Sequence, residues 1–103
     1  MSEEGDVELL RFAEVKRYLQ VFLDFIDELP EEVREKDADE IKRAHAAKTH
    51  QASKDALAWV FDFVVENKLG VDVINFLNRR GDVTVLNDIA DAGMWRLKEW
   101  YAA

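Results

Sequence analysis

Apolar side chains recur every third or fourth residue along almost the whole chain, and no segment alternates apolar and polar residues as a strand does. The pattern is clearest between about Asp6 and Leu29. Asp6 is suited to cap a helix at its N-terminus, and Pro30 ends that helix or starts the next. Six apolar residues share one stripe of this helix: Phe12, Val15, Leu19, Phe22, Ile26 and Leu29. The spacing predicts an all-α fold.

The middle of the chain is predicted to form two further helices. The segment from Glu31 to about His50 is polar and rich in alanine, and Asp37 with Glu40 has the spacing of a capping box, so the helix is expected to restart there. Small residues on its narrow apolar face (Ala38, Ala44 and Ala52) would let it lie close to a neighbouring helix.

Ser53 is expected to cap a third helix that ends near Leu69, with Gly70 as its left-handed stop. The alternative is one long helix from Asp39 to Leu69. The stretch Ala56–Val65 is apolar around most of a helix, which indicates the centre of the core.

Two more helices complete the predicted fold. A short helix from about Asp72 to Arg80 is closed by Gly81, and a fifth begins at Asp82 or Thr84 and runs to about Tyr101. A chain of 103 residues, 49% apolar, suits one domain, so residues 1–103 are predicted to form a single domain. The expected architecture is a compact all-α bundle of four to five helices with short connections.

Charge and composition exclude several kinds of partner. A net charge of −8 opposes binding to a nucleic-acid backbone, which needs clustered lysine and arginine. No apolar run approaches the roughly 18 residues of a membrane span. The acidic first residues do not resemble a signal or transit peptide. With no predicted membrane span or leader peptide, the cytoplasm is the expected default location, and the absence of cysteine fits a reducing compartment.

The sequence carries no pattern typical of a catalytic, metal or cofactor site. His45 and His50 are the only histidines, and a spacing of five would set them about 140° apart on one helix, which prevents joint chelation. His45 is expected to be packed and hydrogen-bonded, and His50 to face solvent or an interface. Asp37 to Glu40 lacks the glycine and the distal glutamate of a calcium loop. The protein is therefore predicted not to be an enzyme.

The first helix carries more apolar surface than one core contact requires. Tyr18, Val21 and Phe25 widen its apolar arc to roughly 200°, whereas a surface helix needs about 100°. Either this helix is sandwiched between two others, or these three residues are exposed and contact a partner.

A second candidate surface lies near the end of the chain. On a continuous fifth helix, Trp95 stands about 180° from Leu86 on the polar side, where an exposed tryptophan is typical of a binding anchor. If Gly93 breaks the helix, Trp95 turns inward instead. Arg79 and Arg80, an adjacent pair of arginines, precede this helix and are predicted to contact the partner too.

The segments Leu29–Glu35 and Asp39–Arg43 resemble the surfaces of computationally designed helical bundles, as do the missing cysteines and sharp helix stops. This resemblance implies an engineered binder or small inhibitor. The run from Leu69 to Trp100 also resembles the end of the transcription-elongation-factor N-terminal domain, a helical peptide-binding module. Its register slips by one residue and the first half of the chain departs from it, so no site is carried over.

Three functions are compatible with these patterns. The first is a non-enzymatic module that binds another protein through a helix face. The second is a bundle with an internal small-molecule or cofactor pocket lined by Trp59, Phe63 and His45, either a ligand carrier or a designed catalyst in which His45 acts as acid or base. The third is an acidic inhibitor whose carboxylates imitate nucleic-acid phosphates. A homo-oligomer is an additional possibility for the first helix.

Overall fold

The computed structural model describes residues 11–81 and 84–85. Their regular structure is entirely α-helical, and five helices are joined by short connections, which confirms the all-α class; none of the five is long and apolar enough to cross a membrane. The helices are α1 (Phe12–Asp27), α2 (Glu31–Glu35), α3 (Ala38–Ala46), α4 (His50–Glu66) and α5 (Gly70–Arg80). Arg11–Val60 form one unit and the described residues from Phe61 onward belong to another, while the single domain stays a prediction.

Helix α1 begins later than the pattern predicts. It starts at Phe12, after Arg11 in an extended conformation, whereas the predicted cap Asp6 lies outside the described residues. The backbone N–H of Arg11 donates to Oε1 of Glu14 at 3.0 Å, so a glutamate of the first turn satisfies a donor that the helix leaves unpaired. Its buried residues include four of the six residues of the predicted stripe and four others: Val15, Tyr18, Leu19, Val21, Phe22, Leu23, Phe25 and Ile26.

Pro30 starts the short helix α2, with its carbonyl accepting the N–H groups of Val33 and Arg34. A new helix, α3, begins directly after Asp37, as its position predicts. The capping box expected there is not formed. Asp37 makes no side-chain cap bond, and Oε1 of Glu40 instead accepts a 2.7 Å bond from Nη1 of Arg43. The competing guanidinium explains why Glu40 does not turn back to the backbone. Helix α3 packs on both α1 and α2.

The helical conformation is interrupted between α3 and α4, so the alternative of one long helix from Asp39 to Leu69 is wrong. Ala47 is extended, and Oγ1 of Thr49 accepts the N–H of Ala52 at 3.1 Å, which makes Thr49 the residue that caps α4. The prediction that Ser53 caps this helix is also wrong. Ser53 lies inside α4 and is 1% exposed.

Helix α4 contributes five fully or almost fully buried apolar residues, in agreement with the core predicted from its composition: Leu57, Val60, Phe61, Phe63 and Val64. It does not end at Gly70 as predicted. Lys68 takes the left-handed conformation, with φ of 56°, and the N–H of Leu69 donates to the carbonyl of Val64 at 2.8 Å. This bond closes the helix one turn earlier. Gly70 becomes the buried first residue of α5.

Helix α5 buries three side chains, those of Val73, Phe76 and Leu77. It ends at Gly81, whose φ of 80° is the left-handed conformation that glycine adopts without strain, so the predicted stop is confirmed. After Gly81, Thr84 and Val85 are in helical conformation and Val85 is buried, close to the predicted start of the last helix. The remainder of that predicted helix lies outside the described residues.

Candidate binding site

The residues predicted to contact a partner from α1 are covered. Tyr18, Val21 and Phe25 are 2%, 6% and 4% exposed, in a helix that also buries the opposite edge of its stripe. Such burial favours the sandwiched alternative over an exposed apolar arc. A partner could reach these side chains only after the fold around them opened, so no binding surface is built on them.

The basic pair at the end of α5 is exposed. The guanidinium carbons of Arg79 and Arg80 lie 6.0 Å and 5.6 Å from the centre of the Phe76 ring, within the range of cation–π contacts. Both cations are thus held near one aromatic ring rather than extended freely into solvent. Trp95, the third residue of this predicted surface, lies outside the described residues.

The two histidines belong to different helices, so their predicted 140° separation does not apply. Nε2 of His45 lies 3.3 Å from Oδ1 of Asp27, with side-chain exposures of 41% and 50%. His45 is therefore hydrogen-bonded as expected but not packed. His50 lies against Phe12, with ring centres 5.3 Å apart. In the described part of the chain, no three histidine, aspartate or glutamate side chains come together as a metal site.

A groove lies between α3 and α4, within the unit Arg11–Val60. It has a volume of about 270 Å³ and is open to solvent. Each helix contributes residues spaced three and four apart, which is the spacing that puts side chains on one face. The residues that line it are Glu40, Arg43 and Ala44 from α3, and Ala52, Asp55, Ala56 and Trp59 from α4.

The floor and walls of the groove differ in chemistry. Ala44, Ala52 and Ala56 supply short side chains, so the space between the two helices is left unfilled there. Trp59 is partly buried and is the one aromatic residue of the lining. The alanine-rich face was predicted to bring helices into close contact. Of its alanines, Ala44 is indeed buried, but Ala38 is exposed and Ala52 borders the groove instead.

Three charged groups line the groove. Arg43 is paired with Glu40 at 2.7 Å, so their charges compensate each other. Oδ1 of Asp55 accepts a 2.9 Å bond from Nε2 of Gln51, which is a neutral donor. Among the described residues no cation forms an ion pair with Asp55. The lining therefore carries one uncompensated negative charge.

The groove and the predicted internal pocket share only Trp59. Phe63 is fully buried in the other unit, and His45 is bound to Asp27 outside the groove. Sequence patterns did not predict Glu40 and Asp55 as residues of a groove, because carboxylates on polar helix faces are common. The spacing of the alanines relative to Trp59 could have indicated the groove. Using that spacing requires the position at which the helix is interrupted, near Thr49, and the sequence left this position open.

Comparisons with protein families, curated proteins and solved structures do not extend these observations to a known relative. No family model, no curated protein and no solved structure matches the chain. The two resemblances stated from the sequence stay predictions.

Proposed function

We propose that this chain is a non-enzymatic protein-binding module that receives a side chain of its partner in the groove between α3 and α4. The observation that carries the proposal is a groove of about 270 Å³ with the partly buried Trp59 in its wall. Tryptophan in a concave surface is a common anchor of protein interfaces, because it contributes a large apolar area together with a polar N–H.

The size of the groove favours a partner's side chain over a cofactor. Small-molecule sites typically enclose about 300–1,000 Å³ and bury most of the ligand. This groove, of about 270 Å³, lies near the lower limit of that range and is open to solvent, which suits one side chain that enters from a neighbouring protein. Of the large apolar side chains in residues 11–81 and 84–85, only Val71 is exposed, so that part of the surface offers no wide apolar patch for a flat interface.

Arg79 and Arg80 form a separate candidate contact, and Trp95 stays the predicted anchor of the last helix. We place the interaction in the cytoplasm, since a chain without cysteine is suited to a reducing compartment. The net charge of −8 favours a protein partner over a nucleic acid. The same proposal includes that the protein is an engineered binder and that binding inhibits its partner.

The proposal is tested with a library of random displayed peptides, selected on the protein and counter-selected on an Ala56→Leu variant. Leucine at this position adds three carbon atoms to a side chain that lines the groove and so narrows it. We expect selected peptides whose binding, measured by fluorescence polarisation, is at least tenfold weaker to Ala56→Leu.

The matched control is Ala58→Leu on the same helix. Ala58 is exposed, does not line the groove and lies 200° around the helix from Ala56. Peptide binding to Ala58→Leu should equal that of the unchanged protein. A library that yields no binder, or binders that lose equal affinity with both variants, would contradict the proposal.

A further inference from the structure

We propose that the side chain received by the groove is an arginine from a basic segment of the partner protein. This inference rests on the proposed function, because it names the partner chemistry of the same groove. Three observations carry it: the charge of the lining, the aromatic wall, and the positions of the neighbouring lysines.

The charge of the lining favours a cation. Asp55 brings a carboxylate whose only hydrogen bond within the described ranges comes from the neutral amide of Gln51. An ionised carboxylate has about four acceptor positions, so Asp55 can accept further N–H groups without losing this bond. Guanidinium presents two N–H groups in the geometry that a carboxylate accepts, which ammonium does not.

The aromatic wall favours arginine over lysine. Trp59 lines the groove together with Asp55, four residues earlier on α4, and side chains at this spacing lie on the same helix face. Tryptophan is the aromatic residue with the strongest cation–π attraction, and arginine is the cation that most often uses it. A guanidinium in the groove is therefore placed between a negative charge and an indole, and its apolar stem passes over the alanines.

The positive charges nearby do not oppose this occupant strongly. Arg43 is the only cation among the lining residues, and it is held 2.7 Å from Glu40. Lys42 and Lys54, although close in sequence, are not part of the lining. Each stands two residues from an alanine of the groove, which corresponds to 200° around its helix.

Two other occupants are possible and are separated by the test. An apolar side chain would use the alanines and Trp59 without Asp55. A carboxylate would use Arg43 and would have to displace Glu40 from it. The overall charge of −8 disfavours the carboxylate, and the unpaired charge of Asp55 disfavours the burial of an apolar side chain beside it.

The experiment titrates the ¹⁵N-labelled full chain with N-acetyl-arginine amide and follows the backbone amide signals of Ala52, Ala56 and Trp59. N-acetyl-citrulline amide is the matched probe, since it has nearly the same shape without the charge. N-acetyl-norleucine amide and N-acetyl-glutamate amide represent the other occupants. We expect the arginine probe to shift these signals at millimolar concentration and to bind at least threefold more tightly than the other three probes.

Asp55→Asn should weaken binding of the arginine probe about two- to fivefold and remove its advantage over citrulline, as expected for one exposed charge pair. The control, Asp72→Asn, removes the same charge from an exposed position on α5 and should leave the binding unchanged. Ala56→Leu should abolish the shifts, with an otherwise unchanged spectrum showing that the fold is retained.

The outcomes separate this inference from the proposed function. Equal binding of arginine and citrulline, or tighter binding of norleucine or glutamate, overturns the arginine proposal and leaves a binding groove with another occupant. An absence of shifts with the arginine probe also overturns it, while the peptide selection still decides whether the groove binds proteins. An equal loss with Asp72→Asn would show that only overall charge matters, and would overturn it too.

Discussion

Helix α1, helix α3 and the part of α4 up to Val60 belong to the same unit, yet their apolar faces are packed differently. Helix α1 buries eight residues, and Val15, Phe22 and Ile26 are fully inaccessible. Helix α3 buries only Ile41 and Ala44, and the face that it shares with α4 opens into a groove. The difference follows from side-chain size, because large branched and aromatic residues fill the space between helices, whereas alanines leave it empty where backbones stay apart.

This contrast separates the part of the unit whose apolar faces are closed from the part that leaves open space, where we propose that a partner binds. A fully packed face has no room for a ligand, and opening it costs the free energy of the core. A groove lined by short side chains is open before any partner arrives, so little reorganisation opposes binding. Mutation of the packed face should therefore lower the free energy of unfolding strongly, whereas filling space in the groove should change it little.

The largest effect is expected from Phe22→Ala on α1. Phe22 is fully buried, and truncation of a buried phenylalanine lowers the free energy of unfolding by about 3–5 kcal/mol. Urea unfolding followed by circular dichroism measures the change. Arg17→Ala, at an exposed position of the same helix, should stay within about 0.5 kcal/mol. A loss below about 1 kcal/mol for Phe22→Ala would show that this face is not closed.

Thr49→Ala changes the residue that caps α4, in the turn between the two helices that line the groove. The substitution removes the oxygen that accepts the N–H of Ala52, and we expect a loss of about 1 kcal/mol in the free energy of unfolding. Thr49→Ser keeps this hydroxyl and should recover most of the loss. If alanine and serine give the same stability by urea unfolding, Thr49 does not cap α4.

Ser53→Ala examines the border between the groove face and the core face of α4. Oγ of Ser53 is buried and makes no hydrogen bond within the part of the chain that the structure describes. Removal of an unsatisfied hydroxyl and the better helix propensity of alanine together should raise stability by about 0.5–1 kcal/mol.

The opposite change, Ala58→Ser at an exposed position of α4, serves as the control. It should lower the free energy of unfolding by a few tenths of a kcal/mol, roughly the difference in helix propensity. A destabilisation by Ser53→Ala of more than about 1 kcal/mol would mean that the hydroxyl has a bonding partner.

The smallest effect on stability is expected from Ala56→Leu, which adds a large side chain to the groove. Because open space receives the leucine, the free energy of unfolding should stay within about 0.5 kcal/mol of the original value. Ala58→Leu should behave the same in thermal and urea unfolding. A loss of about 1–3 kcal/mol, typical of overpacking, would show that this region is as closed as the α1 face.

Periodicity identified the helices well, but capping residues did not identify all of their ends. The stop at Gly81 and the restart after Asp37 were correctly predicted, because a glycine after a helix and an aspartate before one act through local backbone geometry. Ser53 and Gly70 are equally suitable residues, yet Thr49 and Lys68 perform those roles. At both ends of α4, several residues could begin or end the helix at similar energy. The packing of the flanking apolar residues determines which of them does so.

The candidate site was less predictable than the fold. Trp59 was predicted to line a pocket, but with Phe63 and His45 rather than with Asp55. Its true neighbours depend on the chain reversal between α3 and α4, which periodicity does not specify. The ambiguity over Tyr18, Val21 and Phe25 had the same origin, since a wide apolar arc fits both a sandwiched helix and an exposed one, and only the burial of these residues distinguishes them.

The sequence by itself determined the all-α class, the stripe that α1 buries and the glycine that ends α5, because helical periodicity and backbone conformation are local properties. Tertiary structure decided which apolar residues are covered, which faces of α3 and α4 oppose each other, and where alanines leave space. Those features depend on distances between segments far apart in the chain. Whether the face of a helix is buried in the core or lines a groove depends on how closely the neighbouring helix packs against it.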